Sequence, residues 1–181
     1  MIHETEERTL IIFKPDGVQR GFVGEILSRF ERVGLKIVGM KMIRPDNDHY
    51  FHHYENIGKM ISRRGQKTFE VTLEMMTEGP VIACVLEGVE AASLVRKMVG
   101  ATEPKSAVPG SIRGDYSHVS FSHADGQNLG VCNIIHTSGD AEEAKAEIGH
   151  WFSESELFHY ETVHEQFTQR KISHLKNRSL M

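Results

Sequence analysis

The sequence predicts an α+β sandwich in one domain spanning residues 1–181. Three observations carry that expectation. Four apolar runs have the length of strands, helical periodicity fills the gaps around them, and no repeat or Pro/Ser-rich linker divides the chain. A chain of 181 residues also has the length of a single domain with a substantial core.

Arg8 to Lys14 reads as a buried strand through Leu10, Ile11, Ile12 and Phe13, broken by Pro15-Asp16-Gly17. Phe22, Val23, Ile26, Leu27 and Phe30 follow at helical spacing, and Gly34 supplies a stop. Leu35 to Ile43 forms a second strand, ended by Pro45. Asp46 to Met76 is mainly helical, with breaks at Gly58 and Gly65. Pro80 to Leu86 is the third strand, and Ala91, Leu94, Val95 and Met98 mark a core-facing helix ending near Gly100.

Residues 101–116 carry Pro104, Pro109, Gly110 and Gly114 and read as a long ordered loop, a kind of segment that often carries function in compact domains. Cys132 to Ile135 is the last core strand. Asp140 with Glu143 then matches a capping box opening a helix through Trp151. The βαββαβ order predicts a ferredoxin-like antiparallel sheet with helices on one face, plus additional helices, the long loop and a C-terminal extension.

A formal net charge of −4 argues against a broad nucleic-acid footprint, so any anion site must be local, built from a few placed cations. The longest strongly apolar run, Val81 to Leu86, is far too short to span a bilayer, and Met1-Ile2-His3-Glu4 lacks the regions of a signal peptide. Cys84 and Cys132 lie within apolar runs and are expected as reduced thiols. A cytoplasmic location is the expectation.

The chemistry centres on Asn133-Ile134-Ile135-His136-Thr137-Ser138. A histidine at the end of a buried strand is rigidly held while its ring faces a cleft. Such a ring acts as a nucleophile when another group fixes its tautomer and an anion site presents an electrophile. Glu147, on the following helix, could accept a hydrogen bond from one imidazole nitrogen and leave the other unprotonated. Spacing alone favours a solvated helical glutamate, since Glu142 and Glu143 are nearby.

Lys14 stands at the end of the first strand. Arg96, Thr102 and Arg113 offer guanidinium and hydroxyl donors on and beside the long loop. Singly each reads as a surface group; together they suit a polyphosphate. No P-loop pattern occurs.

Lys14-Pro-Asp-Gly-Val-Gln-Arg-Gly21, His53-Tyr54, Gly79-Pro80-Val81, Gly100-Ala-Thr-Glu-Pro104, Pro109-Gly-Ser-Ile-Arg-Gly-Asp115, Asn133-Ile-Ile-His136 and Glu147-Ile-Gly-His-Trp-Phe152 follow in order. With these motifs the chain resembles the nucleoside diphosphate kinases over roughly residues 7–160. The resemblance implies that His136 is the phosphorylated nucleophile, Glu147 its orienting partner and Ser138 part of the supporting network. It places Lys14, Arg96, Thr102, Arg113 and Asn133 on phosphate or ribose, and Tyr54 near the nucleophile.

The implied reaction is ping-pong transfer from a nucleoside triphosphate such as ATP or GTP to a diphosphate such as ADP or GDP, deoxy forms included. Mg²⁺ is the implied cofactor, held mainly by the phosphates and not by a protein cage. A homo-oligomer, hexameric or tetrameric, is implied as well.

The chain departs from the family pattern at several places. Thr137 follows the nucleophile where the family usually has Gly, so a positive φ there would mean strain, unless Gly139 absorbs the turn. The segment between Tyr54 and Gly79 is longer than in the short forms, which puts the base-stacking aromatic near Thr68-Phe69 and makes Phe69 the candidate. Residues 116–130 are an insert whose alternation and Asp125-Gly126 predict a hairpin-like excursion bordering the site or altering subunit packing.

His118, His123, His52 and His53 fit no convincing metal-ligand spacing. The tail from 161 to 181 carries Val163, Phe167 and Ile172 on one side of a possible surface helix, with Arg170, Lys171, Lys176 and Arg178 near its end. Two other functions compete. A silent nucleotide-binding relative would be expected to lose His136 or its clamp, which this chain retains. An RNA-binding module would need aromatics on a central strand, whereas Arg20-Gly21-Phe22-Val23 opens a helix.

Overall fold

The computed structural model describes residues 6–168. Four strands, β1 (Glu6–Phe13), β2 (Lys36–Ile43), β3 (Val81–Val89) and β4 (Ile135–Thr137), form one sheet in the order β2-β3-β1-β4. All three pairings are antiparallel. Each βαβ half therefore leaves room for one strand of the other half between its own two strands, the ferredoxin-like arrangement.

β1 is central, and Thr9 to Phe13 are fully buried. Its side chains alternate between two cores. Ile11 and Phe13 pack with Ile26 and Phe30 of α2 (Val23–Arg32) and with Val95 and Val99 of α6 (Ala91–Val99). Leu10 and Ile12 pack on the opposite face with Ile148 and Trp151 of α9 (Ala141–Trp151). That second face is completed by α3 (Asn47–Phe51), a π-helical turn at His52–Ile57, α4 (Met60–Arg64) and α5 (Gln66–Thr77). The crossover helices cover the expected face and the additional helices cover the other. A strand buried on both sides reads as an unbroken apolar run, which is what Leu10–Phe13 shows.

The segment predicted as mainly helical at 46–76 is helical, and Gly65 (φ +89°) separates α4 from α5. Two expectations fail locally. The last strand is Ile135–Thr137 and not Cys132–Ile135, because Ile134 adopts φ +73° and stops extended backbone before it. The insert forms a helix, α8 (Phe121–Gln127), and not a hairpin. Ser120 caps it by accepting from the His123 N–H at 3.1 Å, and Asn128 (φ +54°) ends it, so Asp125-Gly126 lies within a helical turn.

Two short helices complete the chain before the tail: α1 (Pro15–Gln19), with Pro at its first position, and α7 (Ile112–Tyr116) inside the long loop. β2 is an outer strand with an irregular register around Val38. The chain after α9 returns along this edge: Phe158 N–H donates to the Val38 carbonyl (2.8 Å) and the Tyr160 hydroxyl to the Ile37 carbonyl (2.7 Å). Lys36 Nζ, almost wholly buried, pairs with Glu87 at 2.6 Å and Glu165 at 2.9 Å. In the described part of the tail, α10 (Glu165–Thr168) is short and Val163 and Phe167 are exposed. Arg170, Lys171, Ile172, Lys176 and Arg178 lie outside the described residues.

Candidate active site

The turn before β4 positions the site. Ile135 N–H donates to the Asn133 carbonyl at 2.8 Å, closing a three-residue γ-turn about Ile134, whose φ is +73°. A β-branched residue resists that conformation, so the surroundings must enforce it. Ile134 is fully buried; its N–H donates to Asp16 Oδ2 (3.0 Å) and its carbonyl accepts from Lys14 N–H (2.9 Å). A Cβ on Gly17 would come within 2.6 Å of that carbonyl, so only glycine admits the approach. The Pro-Asp-Gly segment that ends β1 thus braces the turn that precedes His136.

His136 lies mid-strand, its side chain 17% exposed. Its Nε2–H donates to Glu147 Oε1 at 2.9 Å. Ser138 Oγ, fully buried, donates to Glu147 Oε2 at 2.5 Å and accepts from the Leu10 N–H at 3.2 Å. Both carboxylate oxygens are therefore engaged, and the chain of bonds ends on the backbone of the central strand. With Nε2 carrying the proton, Nδ1 holds the free lone pair.

Thr137 lies in β4, paired across to Ile11 with no positive φ, so the strain considered for it does not arise; Gly139 has no positive φ either. Asp140 caps α9 by accepting from Glu143 N–H (2.8 Å). The reciprocal bond of the expected box is displaced by one residue, with Glu143 accepting from Gly139 N–H (3.2 Å).

His53 and Tyr54 come from the π-helical turn and set their rings edge-on to His136, with centroids 4.6 and 6.3 Å away. Trp151 Nε1–H donates to His53 Nδ1 at 3.2 Å; since indole only donates, His53 Nδ1 accepts. Burial, and then the neighbouring His136, push His53 well below its ordinary pKa, so it is neutral with the proton on Nε2. Among the described residues, His53, His136 and Glu147 place ligand-type atoms within 4.8 Å of one another; a hydrogen bond joins His136 to Glu147, while the buried His53 Nε2 has no hydrogen-bond partner. Burial raises Tyr54 above its ordinary value.

Lys14, Tyr54, Arg96, Thr102, Arg113, Asn133, His136 and Glu147 all line one cavity of about 760 Å³. Ser138 sits behind Glu147, away from the lining. Arg113 is 5% exposed and donates to the carbonyls of Asn133 (3.2 Å), Gly100 (3.1 Å) and Ile135 (2.6 Å). One guanidinium thus joins the long loop to the turn before β4. Burial and nearby Arg96 lower Arg113 to about 10, which leaves it charged at neutral pH. Burial and then Arg113 lower Lys14 to about 8. Two desolvated cations side by side favour a polyanion. Asn133 Nδ2 donates to the Thr102 carbonyl (2.8 Å), while its buried Oδ1 has no partner and can accept from a ligand hydroxyl.

Phe69 does not join this group. It is 5% exposed, packs edge-on against Phe51 at 5.7 Å and belongs to the core, because α5 turns that position toward the sheet. The expectation that it stacks on a base is corrected.

The sequence model of the nucleoside diphosphate kinases matches residues 7–157. The chain belongs to the nucleoside diphosphate kinase family. The Pyrococcus horikoshii nucleoside diphosphate kinase is 46% identical over 166 residues, 92% of this chain and 98% of that one. The Borreliella burgdorferi nucleoside diphosphate kinase is 42% identical over 154 residues, 85% of this chain and 92% of that one.

Among solved structures, a transition-state mimic of the Borrelia burgdorferi nucleoside-diphosphate kinase with vanadate and ADP has a TM-score of 0.88 at 39% identity. It covers 91% of this chain and 98% of that chain. A halophilic nucleoside diphosphate kinase from Halobacterium salinarum in complex with CDP has a TM-score of 0.74 at 36% identity, covering 90% and 98%.

Within this family member, several site groups had no sequence signal of their own. Asp16 acts on a backbone N–H more than a hundred residues away, and Trp151 reads as core while its indole N–H fixes the His53 tautomer. For Mg²⁺, the donor set is informative. Of the four carboxylates lining the cavity, Glu147 is committed to His136 and Ser138, Glu143 receives the Gly139 N–H, Asp140 caps α9, and Asp125 is exposed on α8. With lysine, arginine, threonine and asparagine making up the rest of the clamp, the lining fits a metal carried by phosphate oxygens and water, not one caged by protein oxygens. No helix among the described residues is long and apolar enough to cross a membrane.

Proposed function

We propose that this phosphotransferase moves the terminal phosphoryl group of a nucleoside triphosphate to a nucleoside diphosphate through a phosphohistidine on His136 Nδ1. The observation that carries this reading is the Leu10–Ser138–Glu147–His136 chain of hydrogen bonds, which leaves the Nδ1 lone pair facing a cationic cavity.

Nδ1 attacks the γ-phosphorus in line. The P–O bond to the β-phosphate breaks, and the diphosphate leaves with the electron pair. Positive charge appears on the phosphorylated ring, and Glu147 stabilises it through Nε2–H without taking the proton. In the second half-reaction a β-phosphate oxygen of another diphosphate attacks phosphorus, the N–P bond breaks, and His136 is restored. Neither half needs a net proton transfer.

Lys14, Arg96 and Arg113 neutralise the equatorial oxygens, Thr102 adds a hydroxyl, and the unpartnered Asn133 Oδ1 accepts from a ribose hydroxyl. Charge neutralisation beyond these residues would come from Mg²⁺ held by phosphate oxygens and water. Alignment and charge are what a loose phosphoryl transition state requires, and these groups provide both before substrate arrives.

Assembly into a homo-oligomer and a cytoplasmic setting belong to the same reading. Exposed Met40 (56%) and Met42 (58%) on outer strand β2 support the former, and a monomer in sedimentation equilibrium would remove it.

The test is incubation with γ-labelled ATP and Mg²⁺. Label is expected on the protein, stable to alkali, lost in acid and chased onto added GDP. Transfer without a labelled intermediate would exclude the two-step route.

A further inference from the structure

The cavity has walls that the phosphoryl chemistry does not use. Besides Lys14, Arg113 and His136, it is lined by Thr68, Val71 and Thr72 of α5 and by Phe121 and Leu129 of the insert. Under the kinase reading, phosphates held by the cations leave the base to these walls.

The α5 wall offers no aromatic plane. Thr68 and Thr72 donate their hydroxyl hydrogens back to the carbonyls of Arg64 (2.9 Å) and Thr68 (2.7 Å), and Phe69 faces the core. Tyr54 is set edge-on to His136. Among the described residues, Phe121 is the one other Phe, Tyr or Trp lining the cavity.

The Phe121 ring is held in place and reachable. Phe121 opens α8, and its N–H donates to Glu103 Oε1 at 2.9 Å; Lys105 N–H donates to the Val119 carbonyl at 3.1 Å. The insert is thus fastened to the loop that carries Thr102. The ring is half-buried, and the planar Arg64 guanidinium lies 5.8 Å over its face, so a flat group already approaches that face.

We propose that Phe121 supplies the stacking face for the nucleotide base, so that the insert at 116–130 sets base affinity in this chain, with purines gaining more than pyrimidines. The proposal rests on the kinase reading. A base displaces Arg64 from the ring and takes up the contact in its place. Stacking is sequence-tolerant because every base has a π-face, and the larger purine covers more of it.

The test measures binding of ATP, GTP, CDP and an abasic ribose triphosphate to the wild type, Phe121→Ala and Phe121→Leu. Phe121→Ala is expected to weaken ATP and GTP by about 5- to 150-fold, CDP by less, and the abasic compound not at all, with Phe121→Leu intermediate. Unchanged ATP and GTP affinity in a variant with wild-type Tm would overturn the proposal. Equal loss of the abasic compound would also overturn it, by showing a structural effect.

If Phe121→Ala fails to fold, magnetisation transfer from Phe121 ring protons to purine H8 in the wild type decides, and its absence is fatal to the idea. Wild type that binds nucleotide but takes no label from γ-labelled ATP would instead remove the kinase reading.

Discussion

The hydrogen-bond chain behind His136 ends on the central sheet, whereas other walls of the same cavity come from α5 and from an insert outside the sheet. Glu147 is 1% exposed and Ser138 fully buried, with the Leu10 backbone closing their network. Phe121 and Leu129, by contrast, hang on a helix fixed by a serine cap and a bond to Glu103. The difference matches the demands of each job. Phosphoryl transfer tolerates little misalignment, so the reacting ring is over-determined. Base contact tolerates adjustment, so it can be left to an appended segment.

The sharpest way to break this comparison is at Glu147. Glu147→Ala is expected to lower the rate of His136 phosphorylation by about 10- to 100-fold while nucleotide affinity stays near wild type, since the carboxylate faces the ring and not the clamp. Stopped-flow phosphorylation beside equilibrium binding checks it. Parallel loss of both would mean that the network holds the fold and not the tautomer.

A smaller effect concerns proton linkage at Lys14. Its folded pKa lies near 8, below the ordinary 10.5, so the unfolded chain binds the extra proton between those values. Stability from this group is complete above pH 10.5 and is lost as pH falls toward 8. Nucleotide reverses the sign, because phosphate favours the charged amine. Binding above pH 8 is therefore expected to take up as much as about one proton, with affinity falling as pH rises through that range. Calorimetry in buffers of different ionisation enthalpy reads this directly. No proton uptake would place Lys14 away from the phosphates.

The smallest effect sharpens the other side of the comparison. Phe69→Leu is expected to cost about 1 kcal/mol of stability, by loss of core packing, with no change in nucleotide affinity. Denaturant unfolding and binding together test it. A nucleotide affinity that fell would return Phe69 to the base.

The same contrast explains how far the sequence could be read. β1, the crossover helices and the helical stretch at 46–76 were legible because their apolar spacing follows one period in each element. His136, Lys14, Arg113, Asn133 and Glu147 were legible as motif members and Arg96 as a cation beside the long loop, and the structure gathers them around one cavity. The start of β4 was not, because Cys132-Asn133-Ile134-Ile135 has strand composition and the bonds that hold the γ-turn, from Ile134 to Asp16 and from Lys14 to Ile134, are long-range. The insert misled for a related reason. Its alternating side chains imitate a strand, but Ser120 and Asn128 cap a helix there. Phe69 lay one position from Thr68, a cavity-lining residue, and on a helix one position moves a side chain about 100° around the axis.

The most direct measurement is the site and isomer of the phosphorylated residue. After brief exposure to ATP and Mg²⁺, peptide mapping and phosphorus NMR are expected to find a single phosphohistidine, at His136 and on Nδ1, absent from His136→Ala. Phosphate on Nε2, or on any other residue, would contradict the geometry in which Glu147 holds the Nε2 proton.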